Sequence, residues 1–319
     1  DDVTYQAMVL ELGDGDPTPG TDPVEVFIGV GGELDDKTTD SYADDTVEKD
    51  GGIGVFASLE SLTLVSLKNN LGTPLDGTDD LSYMGLRLAG FGGELVGIPG
   101  LTFGIYNGLV LVNQSKDAAD AAATPAKQNF DTFHSTSTGM AIPQLIGVED
   151  TLDLHIEGGV ALDAFGVLVA KGTFSVSLGE VTHTGVTYQA MVLELGGGAA
   201  DPVEVFIGVG GELDDKSTGS YADDTVEKDG GIGVFASLDS LTLVSLKNAN
   251  GTVDPGNDLS YMGLRLAGFG GELVGVSGLT FGIYGGLVLV NQAKDAADPT
   301  GTPTKIDFST FGATTTSGM

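Results

Sequence analysis

Two long stretches of this sequence are almost identical, and this internal repeat constrains the fold more than any other feature. The sequence VTYQAMVLELG occurs at Val3–Gly13 and again at Val186–Gly196. The sequence DLSYMGLRLAGFGGELVG begins at Asp80 and again at Asp258. The offset between the copies falls from 183 residues (186 − 3) to 178 residues (258 − 80) because loops change length. One structural unit therefore spans about 180 residues.

The repeat divides the chain into three parts. Residues 1–140 form the first copy, residues 141–185 occur only once, and residues 186–319 form the second copy. Met319 corresponds to Met140, after which the first copy continues into the single segment. We therefore expect the chain to be a fragment of a longer array of the same unit.

The composition excludes several classes of partner. The formal net charge is −33 with only 13 lysines and arginines, which leaves no basic face for the phosphates of a nucleic acid. The chain has no cysteine, so disulfide bonds cannot stabilise it. No apolar run is long enough for a membrane-spanning helix. Hydrophobic residues make up 41% of the chain, so a packed core is expected.

The pattern of apolar residues predicts β-strands. Thr173–Leu178 and Leu152–Glu157 alternate apolar and polar residues with a period of two. Leu109–Val112 is apolar at every position, as in a strand covered on both faces. Glycines recur every few residues from Gly90 to Gly108, a spacing typical of short strands joined by tight corners. The predicted fold class is all-β.

A shorter repeat within the unit favours a parallel β-solenoid. The sequences GVFASLESLTL at Gly54 and GELVGIPGLTF at Gly93 share one pattern and begin 39 residues apart (93 − 54). That spacing fits one coil of a solenoid with a side loop. We therefore predict a parallel β-solenoid built from the internal repeat, and the alternative is a series of tandem antiparallel β-sandwich or barrel modules.

Acidic loops between the predicted strands are candidate calcium sites. Calcium takes six to eight oxygen ligands, which aspartate carboxylates and turn carbonyls supply together. Aspartates that recur in both copies are the best candidates, whereas Asp14 and Asp16 have no counterpart in the second copy. The predicted Ca²⁺ ligands are Asp35, Asp36, Asp44, Asp45, Asp50, Asp80, Asp214, Asp215, Asp223, Asp224, Asp229 and Asp258. The alternative is that these loops are only solvated acidic turns.

No catalytic pattern recurs in the sequence. The three histidines are His134, His155 and His183, and Gly312 replaces His134 in the second copy. No glycine-rich loop leads into a helix, as phosphate binding would require. We therefore expect no enzymatic activity and no catalytic or cofactor-binding residues.

The repeated segments resemble the repeats of giant acidic bacterial surface proteins. The resemblance rests on VEVFIGVGGELDD, IGVFASLESLTLV, LVGIPGLTF followed by LVLVNQ, and a DFSTF-type segment. These proteins are grouped with the large RTX-type adhesins, although the calcium-binding nonapeptide of that type is not present here. The resemblance implies export, attachment or matrix building, and it implies no catalytic residues.

The repeat and the charge together predict a structural role. We expect a structural protein of an extracellular filament, sheath or adhesin stalk at the cell surface, stabilised by calcium. Its partners would be neighbouring repeats or other copies, which self-associate into fibres. The alternative is a cell-surface adhesion module whose loops bind a carbohydrate or a partner cell. The loops at 13–21 and 68–78 differ between the copies, whereas the loop at 34–50 barely changes.

Overall fold

The structure is a computed structural model of the chain. It describes residues 4–13, 23–37, 42, 44–73, 76–120, 125–134, 140–216, 218, 220–248 and 258–310. The strands within these residues are β1 (Gln6–Leu12), β2 (Val24–Val30), β3 (Glu33–Asp35), β4 (Thr46–Glu48), β5 (Ile53–Leu59), β6 (Ser61–Asn69), β7 (Leu81–Val96), β8 (Leu101–Asp117), β9 (Leu152–Ala164), β10 (Leu168–His183), β11 (Val186–Leu195), β12 (Val203–Val209), β13 (Glu212–Asp214), β14 (Thr225–Glu227), β15 (Ile232–Leu238), β16 (Ser240–Asn248), β17 (Leu259–Val274) and β18 (Gly282–Asp295).

Fourteen of these strands form one sheet, and the prediction of an all-β fold is confirmed. The strands follow one another across the sheet in the order β1-β6-β7-β8-β9-β10-β11-β16-β17, with β18 on the outer edge of β17. β2 and β5 continue the first part of the sheet, and β12 and β15 continue the second part. The other four strands form two small hairpins, β3–β4 and β13–β14.

The sheet is built from long strands, several of which are interrupted. β5 and β6 are separated only by Glu60, and both pair with β7. β6 pairs with the first part of β7, and β5 pairs with the last part. β1 and β2 lie along β6 and β5 in the same way. The repeated unit thus contributes six long strands: β1 with β2, β5 with β6, β7, β8, β9 and β10.

β10 joins the two copies. One of its edges pairs with β9 from Leu168 to Gly179. On its other edge, Leu168–Lys171 pairs with β12, and Phe174–His183 pairs with β11. The sheet therefore continues without a break from the first copy into the second.

Short turns with positive φ set the antiparallel order on both sides of β10. In the three-residue connection from β9 to β10, Phe165 and Gly166 have φ values of 59° and 64°; Thr184 and Gly185, which connect β10 to β11, have φ values of 51° and 79°. Positive φ at both central residues is the type I′ turn, whose twist matches that of an antiparallel pair. A parallel pair would instead need a crossover connection of a dozen or more residues.

The expected parallel solenoid is not what the described residues form, because the pairings between their strands are antiparallel. The shorter repeat has a different meaning from the one predicted. Gly54 pairs with Val96 and Ser58 pairs with Gly92. The first parts of the two similar stretches therefore lie on neighbouring antiparallel strands, and the spacing of 39 residues (93 − 54) does not correspond to a solenoid coil.

The connection between β8 and β9 covers part of the sheet in the first copy. Phe130, Leu145 and Val148 from this connection are fully buried. They pack in one cluster against Val65 and Leu67 of β6, together with Leu111 and Leu152. This connection is the main apolar cover of the first copy because its large side chains replace water over the strands.

The second copy has two covered areas. Phe308 and Ile306, from the chain after β18, pack against a cluster that includes Leu246 and Tyr261. The hairpin β13–β14 covers another area, where Val226 is buried with Phe206, Phe235 and Val169. Val169 lies on β10, so this second cluster spans the junction between the copies.

Candidate functional site

Two equivalent hairpins carry most of the predicted calcium ligands. We call residues 33–48, with β3 and β4, the first acidic hairpin, and residues 212–227, with β13 and β14, the second acidic hairpin. Residues 38–41, 43, 217 and 219 of these hairpins lie outside the described residues. Four predicted ligands lie in each hairpin: Asp35, Asp36, Asp44 and Asp45 in the first, and Asp214, Asp215, Asp223 and Asp224 in the second.

The outer aspartate of each hairpin is paired with a lysine of the same hairpin. Lys37 donates from Nζ to Asp35 Oδ2 at 2.6 Å and from its backbone N–H to Oδ1 at 3.0 Å. Lys216 makes the same two contacts with Asp214. The side-chain hydrogen bond from the lysine is the main reason that the pKa of each aspartate lies below its ordinary value.

The inner aspartate of each hairpin is in the opposite situation. Asp224 is only 2% exposed, and neither carboxylate oxygen has a hydrogen-bond partner among the described residues. Both oxygens of Asp45 are likewise buried without such a partner. Loss of water raises the pKa of both carboxyls, and neighbouring aspartates of the same hairpin raise it further. The four aspartates of each hairpin therefore act on one another electrostatically.

The remaining predicted ligands lie elsewhere. Asp80 is buried at the start of β7 and forms an ion pair with Lys68 at 2.5 Å, and Asp258 pairs with Lys247 at 2.7 Å. Lys68 is 15 residues beyond Ile53 (68 − 53), which is roughly 50 Å along an extended strand. Asp80 and Asp258 are therefore far along the strands from the acidic hairpins, and they are neutralised by lysine.

Asp50 and Asp229 are exposed on the turns that follow the hairpins. Within the part of the chain that the structure describes, no three carboxylate or histidine side chains converge closely enough to hold a metal ion. The hairpins thus place four carboxylates within electrostatic reach of one another without forming a cage of side chains. A cation bound there would also need turn carbonyls and water as ligands.

The second acidic hairpin is held down on the sheet by Lys171 of β10. This lysine is buried, and its ammonium donates to the backbone oxygens of Ala222 and Asp224, each at 2.7 Å. It also lies 5.9 Å from the centre of the Tyr106 ring, within cation–π range. Its positive charge lowers the pKa of Asp224 and so opposes the effect of burial. A single buried lysine therefore orders the loop and partly balances its negative charge.

The same hairpin reaches back to the first copy through Tyr221. Its hydroxyl donates to Glu94 Oε2 on β7 at 3.0 Å, across a separation of 127 residues. Lys49 of the first copy forms an ion pair with the other oxygen of Glu94. The ring of Tyr221 lies over Gly104 of β8, where an added Cβ would be 2.3 Å from a ring carbon.

Burial and the Glu94 charge raise the pKa of Tyr221. We call this set of contacts, together with those of Lys171, the inter-repeat clasp.

The first acidic hairpin contains nearly the same sequence without the same contacts. Tyr42 is the counterpart of Tyr221 (42 + 179), and it is 88% exposed. The difference follows from position, because the second hairpin contacts β9 and β10, whereas the first contacts β2. Two closely similar loops therefore differ in their contacts because one has a neighbouring copy to bind.

Sequence reasoning missed the residues that form the clasp. Lys171 occurs only once because it lies in the segment between the copies, so the repeat does not point to it. Tyr221 and Glu94 recur as Tyr42 and Glu272, but they lie far apart in the sequence. The usable signal was Gly104, since a glycine within a strand often marks the close approach of another group.

His155 lies between two polar side chains on the sheet. Its Nδ1 is 2.8 Å from Ser177 Oγ, and its Nε2 is 3.2 Å from Glu157 Oε2. A serine, a histidine and a carboxylate in a row match a hydrolase triad in composition only. Ser177 is buried within β10, so its hydroxyl is not presented to a substrate. We assign a structural role to this group, which links β9 to β10.

The comparisons with known proteins give no assignment. No family model matches the chain, no curated protein matches it, and no solved structure matches it. The described part of the chain also contains no helix with the length and apolar character needed to cross a membrane. The contacts within the molecule are therefore the basis for inferring a function.

The clasp predicts different effects for the same substitution in the two copies. Tyr221→Phe removes a hydrogen bond to a carboxylate, which is worth about 1.5–3 kcal/mol in the free energy of unfolding. Tyr42→Phe should change that free energy by less than about 0.5 kcal/mol, because the hydroxyl is exposed. Urea unfolding of both variants measures the difference. Equal effects would show that Tyr221 does not bind Glu94.

Because the carboxylate of Asp224 is buried, removal of its charge is predicted to stabilise the folded protein at neutral pH. The pKa of Asp224 is higher in the folded protein than in the unfolded chain, so the folded state favours the protonated acid. The contribution of Asp224 to stability is therefore fully present below the ordinary pKa and is lost as the pH rises through the raised pKa. Asp224→Asn, which mimics the protonated form, should therefore raise the melting temperature at pH 7 in calcium-free buffer, and the gain should shrink towards pH 4. The exposed Asp229→Asn is the control, with little change at either pH. A destabilised Asp224→Asn variant at pH 7 would contradict this account.

Proposed function

We propose that the chain is a structural repeat protein of an extracellular filament, sheath or adhesin stalk, in which successive units extend one sheet. The observation that carries this proposal is the unbroken pairing across β10, which joins one copy to the next. The inter-repeat clasp strengthens the same junction with side-chain contacts. A structural role is further supported by the composition, since glycine-rich strands and acidic loops carry no recurring catalytic group.

A contact between two different surfaces of like units can repeat indefinitely unless the rotation closes a ring. The first copy offers the sheet that the second acidic hairpin binds, and the second copy has the same sequence in those strands. The same contact can therefore be repeated from one unit to the next, and we propose that neighbouring repeats assemble into fibres in this way.

The proposed location is outside the cell or at its surface. A protein with 46 acidic and 13 basic residues is strongly hydrated, and its charge keeps long assemblies apart from one another. The cation content of the surrounding medium would screen this charge. The absence of cysteine leaves backbone pairing and side-chain packing as the means of joining units.

We propose calcium as the ion that stabilises the acidic hairpins. The support is the pair of buried carboxylates, Asp45 and Asp224, whose oxygens have no hydrogen-bond partner among the described residues. Calcium prefers such oxygen ligands and accepts irregular geometry with carbonyls and water. Asp80 and Asp258 are each paired with a lysine, as Asp35 and Asp214 are, but they lie apart from the acidic hairpins.

The alternative function is an adhesion module that binds a surface glycan or a partner cell. It is supported by the loops at 13–21 and 68–78, which differ between copies while the strands are held. In the first copy, the second of these loops is stabilised by its own contacts, such as Thr73 Oγ1 to Asp79 at 2.9 Å. Adhesion through loops and assembly through strand edges use different surfaces, so a stalk could display such loops along its length.

The filament proposal predicts a specific axial repeat. Six long strands per unit at about 4.8 Å each give an axial repeat of about 29 Å, with strands perpendicular to the axis. Fibre diffraction or electron microscopy of the native material measures this repeat. Discrete particles with no axial periodicity would contradict the proposal, and the adhesion module would then be the better account.

The calcium proposal predicts a shift in melting temperature. An ion that binds only the folded state adds about 2.7 kcal/mol at a concentration of a hundred times its Kd. Millimolar calcium should therefore raise the midpoint by several degrees relative to a chelator, and sodium chloride of equal ionic strength should not. The double variant Asp35→Ala/Asp45→Ala should lose the part of this calcium-induced shift that comes from the first hairpin and keep the part that comes from the second. An unchanged midpoint in calcium would show that the hairpins are only solvated acidic turns.

A further inference from the structure

The outer side of the second copy exposes residues that are buried in the first copy. Tyr284 of β18 is 91% exposed, whereas its counterpart Tyr106 of β8 (284 − 178) is 8% exposed. Leu289 is 67% exposed, and its counterpart Leu111 is 5% exposed. The two strands have nearly the same sequence, so the difference reflects what lies against them.

The first copy shows which strand covers this edge. β8 pairs with β9 along most of its length, from Leu101 opposite Ala164 to Val112 opposite Leu154. β18 pairs with β17 along its inner edge. The outer edge of β18 therefore has the sequence of an edge that, in the first copy, binds the strand Leu152–Ala164.

A groove beside β18 corresponds to a place that is filled in the first copy. It has a volume of about 500 Å³ and is lined by residues that include Val244, Gly263, Leu289 and Phe308. Gly263 corresponds to Gly85 in the first copy (263 − 178). The three heavy atoms nearest to a Cβ added to Gly263 all belong to Phe308, at 2.8–2.9 Å.

The same place in the first copy is filled by Leu145 as well as by the phenylalanine. A Cβ added to Gly85 would lie 2.6 Å from a ring carbon of Phe130 and 2.7 Å from Cδ1 of Leu145. Leu145 and Val148 are both fully buried there. They belong to the segment that occurs only once in the chain.

A pair of asparagines supports the same occupant. Asn113 is fully buried and donates from Nδ2 to Gln128 O at 2.8 Å and to Glu149 O at 2.7 Å. Its counterpart Asn291 donates from Nδ2 to Ile306 O, which occupies the position of Gln128 O. The second acceptor of Asn113, Glu149 O, lies next to Val148 in the single segment. The groove, the strand edge and the asparagine thus point to one continuous stretch of polypeptide.

We propose that the outer edge of β18 and the groove beside it form a docking surface for a polypeptide with the sequence of residues 141–185, supplied by a further copy of the same repeat. The counterparts of Leu145 and Val148 enter the groove, and the counterpart of β9 pairs with β18. This inference rests on the proposed structural function and specifies the contact by which one unit binds the next.

The experiment adds the occupant to the full chain. A variant that carries a copy of Ala141–Gly185 after Met319 is compared with the original chain by hydrogen exchange of peptides from β18. The added segment should slow backbone exchange in β18 by about tenfold or more, because free edge amides become paired.

A matched control carries the same extension with Leu145→Asp and Val148→Asp in the added segment only. This control should leave β18 exchanging as it does in the original chain, since two charges would have to enter an apolar groove. Unchanged exchange of β18 in the unmodified extension would overturn the proposal. Equal protection by both extensions would also overturn it, because the groove would then contribute nothing.

These outcomes are separate from the test of the proposed function. Native fibres with the expected axial repeat and an unprotected β18 would leave the filament in place and reject this docking surface. Protection of β18 in a protein whose native form is a discrete particle would establish the surface and reject the filament.

Discussion

The backbone pairing on both edges of β10 is the interaction on which the rest of the structure depends. One edge of β10 belongs to the first copy through β9, and the other edge receives β11 and β12 of the second copy. Strand edges are normally a liability, because unpaired N–H and C=O groups invite association. In this protein, pairing on both edges of β10 joins the first copy to the second. The acidic hairpin and its tyrosine can reach the preceding copy only because β10 fixes the two copies side by side.

Lysines balance part of the negative charge of the chain. The acidic residues are concentrated in hairpins and turns, and many lysines neutralise a nearby carboxylate, as Lys68 does for Asp80. Lys171 has a different role, because it binds two backbone oxygens of the neighbouring copy's hairpin. Burial of Asp224 opposes ionisation of its carboxyl, so the stability of this part of the junction depends on pH.

The sequence predicted the all-β class and the positions of many strands, because alternation of residues along a strand is a local property. It did not predict strand direction, since the glycine spacing was interpreted as the corners of a solenoid. The turns at Phe165–Gly166 and Thr184–Gly185 decide that direction, and neither is the Asn-Gly or Asp-Gly pair that signals a hairpin most strongly. Asp45 and Asp224, which recur in the two copies, are influenced by the charges of other aspartates in their hairpins, and calcium binding by these loops stays a prediction. The clasp could not be predicted, because Tyr221 and Glu94 meet only after the whole sheet between them has formed.

Native-state hydrogen exchange of β10 tests the central claim most directly. If the two copies share one sheet, the amides of β10 are paired on both edges, and they should be among the slowest to exchange, together with those of β11. The same denaturant dependence should apply to strands on both sides of β10, because the junction opens as one unit. Rapid exchange along the edge of β10 that faces β11, with the two copies opening independently, would contradict the account.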